Sequence, residues 1–191
     1  MLTGKSCSSL ISDDATFYDD FMIHANEQLA ISFQYLFMSA QFGSYEKDRP
    51  GFEKVFHGLS DKAWNTGIDM VKEMSKRGAK FDFKKLTKSV ISMVPINEIA
   101  AMEAAASIEK DILKSAISVH RIHSHAYKET VTKLHEKYDS GISHFMDEKI
   151  IEDQTETVRT LTGYVNDLMK FVKDSSSYSM ALYMFDEYLK N

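Results

Sequence analysis

The chain predicts an all-α protein: a four-helix bundle with a long crossover between its second and third helices and a short fifth helix. Three observations carry that reading. Four segments repeat apolar residues at alternating steps of three and four, the period of a helix with one buried face. Only 2 prolines and 8 glycines stand among 191 residues, so long helices can run without interruption. Glu109 and Gln154 interrupt the buried lines near mid-length, where bundles build metal or polar sites from facing helices.

Residues 1–13 read as an irregular leader, and residues 14–191 as one domain. Asp13, Asp14 or Thr16 supplies a cap for the first helix, which runs to about Phe42 with Leu29, Phe33, Leu36 and Ala40 on its stripe. Pro50 suits the first turn of the second helix. Its stripe is Phe52, Val55, Leu59, Ala63, Thr66, Met70 and Met74, and Gly78 stops it after Lys76 and Arg77. Residues 79–94 then form a link too long for a turn between antiparallel neighbours, so the second and third helices run parallel. Pro95 opens the third helix, striped by Ile99, Met102, Ala106, Glu109, Leu113, Ala116 and His120 and extended past His125. Asp139-Ser140-Gly141 marks a break. The fourth helix, about 144–173, carries Ile151, Gln154, Val158, Leu161, Val165, Leu168 and Val172. After Asp174-Ser175-Ser176-Ser177, the segment Tyr178 to Leu189 reads as a fifth helix, apolar on most sides and suited to an interface between subunits.

A net charge of -5 without any basic block argues against nucleic-acid binding. The sequence holds no apolar run long enough for a membrane helix and no signal-peptide core at its start. Cys7 is the single cysteine, so a disulfide within the chain is excluded; a free thiol or a bond to another chain remains.

A catalytic di-iron bundle needs carboxylates from two helices and a Glu-x-x-His pair on the others. The residues three before each of the 7 histidines are Phe21, Lys54, Ile117, His120, Ile122, Thr132 and Gly141. No acid–x–x–His exists. His120, His123 and His125 form the densest histidine group, but His125 points away from the other two, and packed or solvated histidines explain the group better than a metal site.

Tyr35-Leu36-Phe37-Met38-Ser39-Ala40-Gln41-Phe42, Pro50-Gly51-Phe52-Glu53-Lys54-Val55-Phe56 and Lys76-Arg77-Gly78 resemble the first two helices of ferritins. Ala101-Met102-Glu103-Ala104 through Ile108-Glu109-Lys110 resembles their third helix, and Phe145-Met146-Asp147-Glu148 through Ile151-Glu152-Asp153-Gln154 their fourth. Ser60-Asp61-Lys62-Ala63-Trp64, Arg159-Thr160-Leu161 and Phe185-Asp186-Glu187-Tyr188-Leu189 are similar to the light-chain branch of insect secreted ferritins. The resemblance spans roughly residues 17–189.

It implies where the family's ferroxidase ligands would stand. The first-helix glutamate falls on Gln28, with the nearby tyrosine kept as Tyr35. The second-helix glutamate and histidine fall on Ala63 and Thr66, the third-helix glutamate is kept as Glu109, and the fourth-helix glutamine as Gln154. A hydrogen-bonded polar pair is then the economical reading of Glu109 and Gln154. In ferritins the start of the fourth helix lines threefold pores; His144 and Asp147 take those positions here, and acids at a helix N-terminus are the plainer explanation. Of the mineral-facing positions Gly58, Asp61, Lys62, Asn65 and Ile68, only Asp61 is acidic, and Asp153 adds one carboxylate.

The resemblance thus implies a non-catalytic, light-type ferritin subunit of a 24-chain cage that stores ferric mineral, partnered by a ferroxidase-competent heavy-type chain. It also implies a secretory or extracellular location, with the cytoplasm left open, and a bond from Cys7 to the partner chain. A ferroxidase with a non-standard set, such as Glu109 with Glu103 and a histidine, and a metal-free helical binding module are the competing readings.

Overall fold

A computed structural model describes residues 16–81, 97–124, 138–175 and 177–190. Helices α1 (Asp19–Phe42), α2 (Pro50–Lys76) and α3 (Glu98–His123) form three rods of the bundle. The fourth is continuous from α4 (Ser140–Phe145) through a π-helical turn (Met146–Ile151) into α5 (Glu152–Asp174). A short helix, α6 (Tyr178–Lys190), follows. No strand occurs among the described residues. The expected leader, Cys7, Pro95, His125 and nearly all of both long connections lie outside them.

Contacts between the rods fix their directions. Ser60 donates to the Ser32 carbonyl at 2.8 Å and Ser39 to the Glu53 carbonyl at 3.2 Å, so α1 and α2 are antiparallel. Tyr35 lies against Ala105 and Glu109 while His123 meets Asp20, so α1 and α3 are antiparallel as well. Arg49, just ahead of α2, stands 3.4 Å from Glu98 at the start of α3. Helices α2 and α3 therefore run parallel, as expected from the length of the link.

Local chemistry sets the helix ends. Asn97 accepts from the amides of Ile99 and Ala100 at 2.9 and 3.2 Å, a side-chain cap for α3. Asp139 does the same for α4 through Gly141 and Ile142. Gly78 has a φ of 73°, and Ala79 donates back to Met74, so the glycine ends α2 in a left-handed turn as the sequence predicted.

Several expectations need correction. The first helix begins at Asp19, whose amide donates to the Thr16 carbonyl; its N-cap residue is Tyr18, which offers no side-chain cap, and Asp13 and Asp14 lie outside the described residues. Its core face is not the expected stripe: Leu29 is buried, but Phe33 is 47% exposed, Leu36 43%, and Ala40 exposed. Phe21, Ala25, Gln28, Tyr35, Met38 and Phe42 are buried instead. Helix α1 is apolar on two faces, and the face carrying Gln28 and Tyr35 is the one turned inward. Helix α3 does not pass His125; it ends at His123, with Ser124 extended. On the fourth rod Ile150 rather than Ile151 is the buried residue, because the π-helical turn shifts the phase.

The fifth helix, expected to be apolar on most sides, divides into two faces. One face of α6, with Ala181, Leu182, Phe185 and Leu189, is buried against its own bundle, and Phe185 packs on Phe52 with ring centroids 6.0 Å apart. The buried Asp186 carboxylate accepts from the amides of Gly51 and Phe52 at 2.9 and 3.1 Å. It thereby caps α2, whose own preceding residue, Arg49, offers no side-chain cap. Met180, Tyr183, Met184 and Tyr188 on the opposite face are exposed.

The apolar core falls into two clusters. One is built around Phe42, Phe52, Phe56 and Phe185 and reaches down to Ile31, Ala63, Ile112 and Leu161. The other, around Phe21, Met70, Met74 and Met146, reaches up to Ala25, Ala116 and Ile150. Near their junction lie Gln28, Thr66 and Gln154, and Glu109 stands on α3 between Ala106 and Ile112 of the first cluster, whose margin also holds Tyr35 and Ala63.

Candidate functional site

This polar seam is the candidate site. Helix α1 presents Gln28 and Tyr35, α2 presents Ala63 and Thr66, α3 presents Glu109, and α5 presents Gln154 just after the π-helical turn. Glu109 is 5% exposed. The Tyr35 hydroxyl donates to its Oε1 at 2.6 Å, and the Gln154 amide donates to Oε2 and, at 3.3 Å, to the Glu109 main-chain carbonyl. Glu109, Tyr35 and Gln154 are thus brought together, as the sequence suggested.

Burial pushes the Glu109 carboxyl above its usual range, opposed by the two hydrogen bonds and by the positive charge of Lys62. Tyr35 is raised well above an ordinary phenol, first by burial and then by the negative charge of Glu109. Because the folded pKa of Glu109 lies above its unfolded value, its favourable contribution is present at low pH and lost as pH rises through the folded pKa. Glu109→Gln should therefore gain stability relative to the parent as pH rises from 4 to 8. Urea midpoints at the two pH values test this; a gap that does not change with pH would exclude an ionised, desolvated Glu109.

The other seam positions do not join that cluster. Gln28 is 3% exposed, and its amide nitrogen lies 3.5 Å from His24 Nε2. His24 is buried, with Nδ1 3.0 Å from the Ser115 hydroxyl, which donates to Glu27 at 2.8 Å. The Glu27 carboxyl is lowered chiefly by its bond from His24. Ala63 is buried and Thr66 partly so, and neither carries an ionisable ligand. Glu103 is exposed on α3, so it does not complete a set with Glu109. Among the described residues no group of three His, Cys, Asp or Glu side chains is placed to share a metal ion.

Lys62 is the residue that sequence reasoning undervalued. Its ammonium stands 2.8 Å from Asp153 Oδ2, donates to the Asp153 carbonyl at 3.0 Å, and bonds to the Thr157 hydroxyl. Asp153 is therefore already paired. Asp61 is exposed and lies 3.9 Å from His57 on its own helix, so Asp61 and Asp153 have separate partners. Alternation along α2 alone does not reveal the contact, which spans 91 residues of sequence.

At the other end of the bundle, His144 lies 3.3 Å from Glu148, one turn on. His144 and Asp147 line a surface groove of ≈ 320 Å³ together with His120 and Tyr138. His120 is thus near the proposed pore residues, a juxtaposition with no trace in local spacing. His123 is fully buried, 3.0 Å from Asp20 and stacked beside Tyr18.

The ferritin-like domain of the ferritin family matches residues 23–171. A ferritin light chain of Trichoplusia ni is 33% identical over 177 residues, covering 90% of this chain and 74% of that one. A ferritin light chain of Drosophila melanogaster is 34% identical over 173 residues, covering 87% and 73%. The crystal structure of Trichoplusia ni secreted ferritin superposes with a TM-score of 0.83 at 30% identity, covering 100% of this chain and 91% of that one.

Proposed function

Because this chain belongs to the ferritin family, we propose that it is a non-catalytic, light-type subunit that stores iron as ferric mineral in a cage shared with a ferroxidase-competent chain. What supports the reading is the resemblance, which puts Gln28, Ala63 and Thr66 where the family's missing carboxylates and imidazole would stand. The remaining carboxylate, Glu109, is already engaged by Tyr35 and Gln154. A single desolvated carboxylate with neutral neighbours lacks the hard oxygen and imidazole donors that a di-iron pair requires.

On this reading the chain contributes shell and inner surface, and ferrous oxidation comes from its partner. The 24-chain assembly, a secretory location and the disulfide from Cys7 belong to the same proposal. So do the pore role of His144 and Asp147 and the mineral-facing role of Asp61 and Asp153. The pairing of Asp153 with Lys62 leaves that surface poor in free carboxylates, which fits dependence on a partner for mineral nucleation.

The purified chain should oxidise ferrous iron no faster than an inert protein, measured by oxygen consumption. The triple variant Gln28→Glu, Ala63→Glu, Thr66→His should bind ferrous iron measurably, since it restores the missing donor types around Glu109. Rapid stoichiometric oxidation by the parent chain would overturn the reading. A folded triple variant that gains no ferrous binding would show that the three positions do not converge on one site.

A further inference from the structure

A groove of ≈ 430 Å³ lies between α2 and α5, closed at one end by α6. Its floor is apolar: Val55, Leu59, Leu161, Tyr164 and Leu189 line it. It opens where Gly58 has no side chain, and a Cβ built there meets nothing within 4 Å. Its volume falls within the range of small-molecule sites, about 300–1,000 Å³.

The charges around the groove are unevenly matched. Asp153 is paired with Lys62 at 2.8 Å, and Glu156 with Arg159 at 2.9 Å. Lys54 has no carboxylate within ion-pair distance among the described residues; its ammonium donates only to the main-chain carbonyl of Lys190. Lys54 and Lys62 both line the groove, eight residues apart on α2, which is roughly 12 Å. An extended chain of about ten carbons covers that distance.

We propose that this groove binds a single-chain anionic amphiphile, a medium-chain carboxylate whose alkyl chain lies along the apolar floor and whose head group meets Lys54. A carboxylate head supplies the charge that Lys54 lacks among the described residues, and the chain covers Val55 and Tyr164, which the fold leaves partly exposed. This inference does not use the polar seam, although Gly58, Lys62 and Asp153 also belong to the surface that the iron-storage reading turns towards mineral; decanoate binding is read without iron, so either reading can fail alone.

Calorimetric titration of the purified full chain with sodium decanoate, below its micellar concentration, tests it. Decanoate should bind at least about a hundred-fold more tightly than acetate, because several methylenes leave water. Decanol, which lacks the charge, and the Lys54→Gln variant with decanoate should each bind roughly two- to five-fold more weakly, the scale of an exposed ion pair. Gly58→Leu should weaken decanoate binding at least about ten-fold by filling the groove, while Gly58→Ala should retain it. Both substitutions replace glycine by a better helix former, so the fold is not at risk. Equal affinity for acetate and decanoate would overturn the proposal, as would binding indifferent to Gly58→Leu or no decanoate binding at millimolar concentration.

Discussion

Removal of residues 175–191 is expected to unfold the bundle, or to leave it without a cooperative thermal transition, and not merely to loosen an assembly. Helix α6 buries Leu182, Phe185 and Leu189 in the same cluster as Phe52 and Phe56, and fully burying each such side chain contributes about 1.5–3 kcal/mol. Truncation also strips the cap from α2, since the Gly51 and Phe52 amides lose the Asp186 carboxylate. A lost cap alone costs about 1 kcal/mol. Together these reach the order of the whole stability of a typical domain. The single substitution Gly51→Ala should reproduce much of the effect, because a Cβ there would overlap the main-chain carbonyl oxygen of Asp186. Circular dichroism with light scattering decides the matter. A truncated chain that keeps its helicity and its cooperative transition would mean that α6 is secured chiefly by other subunits.

The second large effect is expected at Asp139. This carboxylate, 7% exposed, accepts from Gly141 and Ile142, from Arg77 Nε at 2.8 Å and from the Tyr18 hydroxyl at 3.2 Å. It joins the entrance of α1, the end of α2 and the start of α4. Burial works against its charge, but the bond from Arg77 and the other donors hold its pKa below the usual aspartate range. Burial, followed by the field of the Asp139 carboxylate, pushes the Tyr18 phenol up to about 12. Asp139→Ala should cost about 3–5 kcal/mol, because it leaves a partly buried guanidinium short of one carboxylate and uncaps α4. Asp139→Asn keeps much of the cap and should cost less. Since the folded pKa of Asp139 is lowered, its contribution is complete above the ordinary aspartate range and disappears as pH falls through the folded value. The gap between parent and Asp139→Ala in urea unfolding should therefore narrow only below about pH 4. A gap already closing at pH 6 would assign the effect to another group.

Much of this architecture was legible in the sequence, for physical reasons. The second helix has one apolar face between polar ones, so its stripe from Phe52 to Met74 and its stop at Gly78 are local facts. The first helix is ambiguous because Phe33, Leu36 and Phe37 give it a second apolar face, and periodicity cannot say which of two faces turns inward. At the candidate site, the Glu109–Gln154 pair followed from position along facing helices, with Tyr35 as its nearest donor. Lys62 with Asp153, Arg77 with Asp139, and Asp186 on the α2 amides were not legible. Each is a polar contact between residues at least 62 positions apart, and nothing in either local segment announces the other. The fifth helix lay between these cases: its apolar character was evident, but a buried aspartate in the middle of it signals a partner only once α2 is in view.

The π-helical turn gives the fourth rod a property that side-chain chemistry alone would not. Ile142, Met146, Ile150 and Gln154 are all buried, four residues apart each time. In an unbroken α-helix, three such steps would swing the buried face by about 120°. The turn acts as a phase corrector: it winds more slowly and lets the two ends of the rod face the same interior. The bearing of His144, Asp147 and Glu148 on the outside is accordingly governed by the winding of the backbone beneath them. Any alignment that projects this rod on an ideal helical wheel will turn one of its ends away from the core.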